Sequence, residues 1–177
     1  MPTILSHAAI PLAAGAGLGT RAVPPRLLVA GVLGSMLPDA DVLAFKAGIP
    51  YGDALGHRGA SHSIAFALLV GALAAAAAPA LRTTRLRAFL LVGLATLSHP
   101  LLDAITNGGL GVALLWPLSG ERFFAPWRVI EVSPIGLGRF LSERGLAVLR
   151  SEALWIWLPA TVLALGARVL WPRRGPS

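Results

Sequence analysis

The chain has 177 residues, 55% of them hydrophobic and only 13% charged, with a strongly positive mean hydropathy. A soluble domain of this length needs a more polar surface, so the composition predicts an integral membrane protein. The formal charge of +7 does not point to nucleic acid, because the basic residues gather in turns between apolar runs. The absence of cysteine excludes disulfides and thiolate metal sites.

Residues 4–19 form a Gly/Ala-rich apolar segment with His7 near its start. No basic residue precedes it, so no cleavable signal peptide is expected. Arg21 and Arg26 flank Pro24-Pro25, which a helix does not cross smoothly. Residues 27–37 are a second apolar segment, expected to halt at Pro38 and followed at once by Asp39-Ala40-Asp41. Both segments are short for a bilayer core of about 30 Å. Residues 42–55 read as a mixed loop or short helix.

Next comes Gly56-His57-Arg58-Gly59-Ala60-Ser61-His62-Ser63, which holds two of the four histidines. The charge-free run 64–81 reaches the roughly 18 apolar residues that predict a spanning helix. Arg82, Arg85 and Arg87 make a basic turn, and residues 88–105 return with His99 and Asp103 near their far end. A kink is expected at Pro100. Asn107-Gly108-Gly109 breaks the helix, and a long segment rich in Pro, Gly, Trp and Phe follows, with an amphipathic helix near 138–149. Residues 153–170 are the last spanning candidate, with Trp155 and Trp157 at one end and Trp171 at the other as interfacial anchors. The expected fold is all-α: a polytopic membrane helical bundle forming a single domain over residues 1–177.

With alternating segments and the basic turns placed inside, Arg21, Arg26, Arg82, Arg85, Arg87, Arg168, Arg173 and Arg174 share the cytoplasmic face. All eight acids and all four histidines then fall on the extracytoplasmic face. Arginines in the loop before residue 153 weaken this bias without reversing it.

Several of these residues suit metal chemistry. His99 and Asp103 are four apart, so on a helix they face one way, one turn apart, as a clip for zinc or another divalent ion. Asp39 and Asp41 follow a proline, where two carboxylates converge on a cation or one of them caps a helix. His57 and His62 flank Arg58, whose planar fork of donors suits a phosphate or a lipid headgroup. His7 joins them on the same face. Ionisable residues at membrane segments are costly and mark function. His7, Asp39, Asp41, His57, His62, His99 and Asp103 together would serve two metal ions, which stabilise both oxygens in phosphoester hydrolysis. The competing nucleophile is a serine, Ser61, Ser63 or Ser98 beside a histidine, but no G-x-S-x-G elbow is present.

The motifs Leu37-Pro38-Asp39-Ala40-Asp41, His57-Arg58-Gly59-Ala60-Ser61-His62-Ser63 and Ser98-His99-Pro100-Leu101-Leu102-Asp103 resemble the YdjM-type family of bacterial inner-membrane metal-dependent hydrolases. So does the stretch from Trp116-Pro117-Leu118-Ser119 to Arg122-Phe123. That family is in turn distantly similar to zinc-dependent phospholipase C and the P1-type nucleases, all-helical enzymes with clustered zinc. The resemblance implies metal ligands at His7, Asp39 or Asp41, His57 or His62, and His99 with Asp103. No histidine follows His99, so the third metal of those enzymes has no counterpart here.

The expected function is hydrolysis of a phosphoester in a lipid or lipid-linked substrate, at a bacterial inner membrane, by water that a divalent cation (zinc first) activates. Asp39 or Asp41 serves as ligand or base, Arg58 steadies the phosphate, and the segment after Asn107 covers the site. The alternative is a non-catalytic protein: a divalent-metal carrier, or a scaffold with a structural metal. A carrier would place its ligands near the midplane rather than at one face.

Overall fold

A computed structural model describes residues 1–134 and 137–170; Trp171, Arg173 and Arg174 lie outside the described residues. Five main helices are present: α1 (Ile4–Leu18), α2 (Pro25–Ala47), α3 (Ile64–Ala76), α4 (Arg85–Ala104) and α5 (Glu143–Leu170). A single turn at Leu137–Phe140 precedes α5. Among the described residues there is no strand, only isolated bridges pairing Thr106 with Ile130 and Val112 with Phe123. The architecture is all-helical, as the composition predicts. α2, α4 and α5 are long and apolar enough to cross a membrane.

Three boundaries differ from the sequence expectation, each at a proline. α2 does not stop at Pro38; it tightens into a 3₁₀ helix over Leu37–Ala47. Pro38 stands in the first turn of that tighter helix, where a missing N–H costs little. α3 does not run to residue 81. It ends at Ala76, because Pro79 can neither donate to the turn before it nor fit against its carbonyl, and the chain closes in turns to Arg82. Its 13 residues extend only about 20 Å at 1.5 Å per residue, short of a bilayer core. The amphipathic stretch near 138–149 and the apolar run 153–170 become largely one helix. A π turn at Ala153–Trp157 joins them directly ahead of Pro159, which lacks the N–H for a regular turn. α4, by contrast, keeps its helical backbone through Pro100.

α4 is the hub. It packs on α2 and α3, while α1 leans on α5. A Cβ on Gly71 of α3 would sit 3.2 Å from the Gly93 Cα of α4, so glycine there lets the two backbones approach closely. Leu27, Val70, Ala74, Ala88 and Val92 form one core between α2, α3 and α4. Ala9, Ile130, Ile156 and Ala160 form a second between α1, α5 and the long connection after α4. That connection lies over the His57–His62 loop, donating from Ala113 N to Arg58 O and from Arg122 Nη1 to His57 O.

Candidate metal centre

The site is assembled from four places in the chain. The first turn of α1 supplies His7, the 3₁₀ half of α2 supplies Asp39 and Asp41, and the loop before α3 supplies His57, Arg58 and His62. The last turns of α4 supply His99 and Asp103. All are fully or nearly buried except Asp41, which is partly buried.

Pro38 has no N–H to give to the Ser35 carbonyl three residues back. That carbonyl instead accepts from His99 Nδ1 at 2.7 Å. With its proton on Nδ1, His99 turns the Nε2 lone pair toward His62 Nε2 at 3.1 Å and Asp39 Oδ1 at 3.3 Å. On its other side His62 Nδ1 faces Asp41 Oδ2 at 3.1 Å and Ser61 Oγ at 3.0 Å. This leaves His62 Nε2 aimed at Asp103 Oδ2, 3.3 Å away. Asp39, His62, His99 and Asp103 thus offer ligand atoms that all lie within 4.8 Å of one another.

The carboxylates divide into two kinds. Both oxygens of Asp39 and of Asp103 are buried without a hydrogen bond, a costly condition for an anion. Asp41 is saturated. Its Oδ1 takes His57 Nδ1 at 2.6 Å, and its Oδ2 takes Arg58 N at 3.1 Å and Ser61 Oγ at 2.6 Å besides His62. Two imidazole nitrogens facing each other, with unpaired carboxylates beside them, fit a divalent cation of the zinc type. Asp41, His57 and His62 make a second group of the same compactness. Burial opposes charge on His62, but the facing carboxylates of Asp103 and Asp41 outweigh it and raise its pKa to about 9.

His7 stacks on His99 with ring centroids 3.5 Å apart, and its Nε2 is 3.7 Å from Asp103 Oδ1. Neither ring nitrogen of His7 has a hydrogen-bond partner.

Arg58 is fully buried, which is incompatible with an anchor at lipid headgroups. Its Nε lies 3.0 Å from Asp103 Oδ2, Nη1 donates to Gly108 O at 2.9 Å, and Nη2 donates to Thr106 Oγ1 at 3.0 Å. The Asn107-Gly108-Gly109 break is therefore also a cradle. Gly109 has φ +90, and a Cβ there would meet Arg58 Nη1 at 2.7 Å. Arg58 itself holds φ 63, a strained region for a non-glycine residue.

Ser61 is engaged with Asp41, while Ser63 and Ser98 donate to the carbonyls of Ala60 and Ala95. Sequence reasoning missed Glu152. Buried at the start of the π turn, it accepts from Thr3 N, from Thr3 Oγ1 and from Ser6 Oγ, and so ties the turn carrying His7 to α5. An acid standing alone ahead of an apolar run was the available signal. Ser35 was also missed, because its contribution is a backbone carbonyl.

Fold and site together define a helical membrane protein with a buried His/Asp centre able to hold a metal ion. The chain belongs to the YdjM inner membrane protein family, whose sequence model matches residues 1–175. It is 50% identical over 175 residues to the inner membrane protein YbcI of Escherichia coli (strain K12), covering 98% of this chain and 99% of that one. No solved structure matches. Both names describe a location in the inner membrane and no activity.

Proposed function

We propose that this chain is a multi-pass, single-domain membrane hydrolase of phosphoesters, in a lipid or lipid-linked substrate, with one principal cation held by Asp39, His62, His99 and Asp103. The observation that carries this is the convergence of two oriented Nε2 atoms on two carboxylates that lack any hydrogen bond. A divalent cation there supplies Lewis acidity and lowers the pKa of water. Asp41 is then the orienting residue for His57 and His62 rather than a ligand, since its oxygens already have donors. Arg58 holds Asp103 in place and neutralises part of its charge, and two of its five N–H donors remain for a phosphate oxygen. His7 Nε2 is the spare nitrogen beside Asp103, available as a fifth ligand or to take a proton from water.

The orientation belongs to the same proposal: the centre faces the extracytoplasmic side. Supporting it, Arg26 Nη1 reaches Ala80 O and Arg87 Nη1 reaches Arg21 O, so the two basic turns meet at the end of α4 opposite His99.

A structural metal is the second reading, and it also has an observation behind it. All four ligands are buried, and a closed set of four protein ligands is the habit of structural zinc. Metal analysis of protein purified without chelator, followed by a panel of phosphomonoesters, phosphodiesters and phospholipids, separates the readings. Stoichiometric metal with turnover supports the hydrolase. Stoichiometric metal without turnover across the panel supports the structural centre, and no metal overturns both.

A further inference from the structure

At the end of the bundle away from the metal centre, a cavity of about 440 Å³ lies among α1, α2 and α4. Its wall is apolar, including Leu18, Leu27, Leu90, Leu91 and Leu94, and its one charged residue is Arg87. α1 and α4 meet at the His7–His99 stack and part beyond it. The inner end of the cavity is Pro11 and Ala95, each one helical turn from those histidines. The volume suits a chain rather than a headgroup: at about 30 Å³ per water-sized group it takes about fifteen methylenes.

We propose that this cavity binds an anionic glycerophospholipid of the surrounding bilayer, with one acyl chain between α1 and α4 and the phosphate on Arg87. Charge chooses the occupant. Arg87 is exposed, and among the described residues its guanidinium pairs with no carboxylate and donates to Arg21 O at 3.4 Å. Arg26, Arg82 and Arg85 lie in the same two turns, so this end carries an excess of cations. Basic pockets between membrane helices of this kind select anionic headgroups, whereas a zwitterionic lipid would bring its ammonium group to the same cations. Twelve residues of α4 separate Arg87 from His99, about 18 Å along the axis. A phosphate on Arg87 is therefore out of reach of the candidate metal ligands, and this lipid is distinct from any substrate.

The test reconstitutes the full chain in nanodiscs of phosphatidylcholine with and without phosphatidylglycerol, then counts lipids retained per chain by native mass spectrometry after detergent extraction. Wild type should retain phosphatidylglycerol over its bulk ratio by roughly fivefold, the size of one basic contact. Arg87→Gln should bring retention back to the bulk ratio, while Arg85→Gln, outside the cavity, should leave the preference intact. Ala14→Phe, which fills the cavity, should reduce retention of both lipids; if that variant does not fold, the two arginine variants decide. Retention at the bulk ratio by wild type would overturn the proposal. So would an equal loss of preference in Arg85→Gln and Arg87→Gln, which marks diffuse surface charge.

Discussion

His62 Nε2 and His99 Nε2 lie 3.1 Å apart although 37 residues separate them in the chain. Each ring is turned by an acceptor behind it, Asp41 for His62 and the Ser35 carbonyl for His99. Rings held this way point their facing nitrogens at one spot, beside two carboxylates whose oxygens have no hydrogen bond, Asp103 being held by its ion pair with Arg58.

His99→Ala and Asp103→Ala should each abolish stoichiometric metal, read by elemental analysis of purified protein. Glu143→Ala, on the exposed first turn of α5, should keep the full metal content. Unchanged metal in Asp103→Ala would remove that residue from the ligand set.

Asp41→Asn tests the distinction between ligand and orienter. An orienting carboxylate typically alters affinity by about 10- to 100-fold when removed. The variant should still take up one equivalent of metal at saturation, with weaker binding in a chelator competition. Complete loss of metal at saturation would make Asp41 a ligand.

Arg58→Lys keeps the charge but cannot reach Gly108 O and Thr106 Oγ1 together with Asp103. Losing charge-assisted hydrogen bonds at a buried group should cost about 2–3 kcal/mol, seen as a lower melting temperature. A variant as stable as wild type would show that the cradle around Arg58 contributes little.

Metal uptake should release a proton near neutral pH. His62 carries a pKa raised to about 9 and must give up its proton to ligate. Apparent affinity should therefore fall about tenfold for each unit that the pH drops below about 9, if one proton is displaced. Calorimetry in buffers of different ionisation enthalpy measures the proton count. A value of zero at pH 7 would mean that His62 is already neutral there.

Reporter fusions after Arg85 should read cytoplasmic, and fusions near Asp53 or Asn107 extracytoplasmic. The reverse pattern would place the His/Asp centre on the inner face.

Sequence alone carried the all-helical membrane class, because long charge-free runs have few other stable forms, and it marked the histidines and aspartates at the ends of those runs. It also paired His99 with Asp103, since helical spacing is a local property. Choosing between Asp39 and Asp41 was beyond it: two carboxylates two residues apart look alike until their donors are known, and those donors come from residues 57–62. Arg58 likewise reads in the sequence as either a phosphate binder or a headgroup anchor. Only the packing of Thr106, Gly108 and Gly109 around it shows a buried side chain serving Asp103, because burial depends on what a distant segment covers. Prolines misled for the same reason. Pro38 reads as a break and Pro79 as part of one continuous run, yet a tightened 3₁₀ turn carries the helix past the first, while α3 ends before the second.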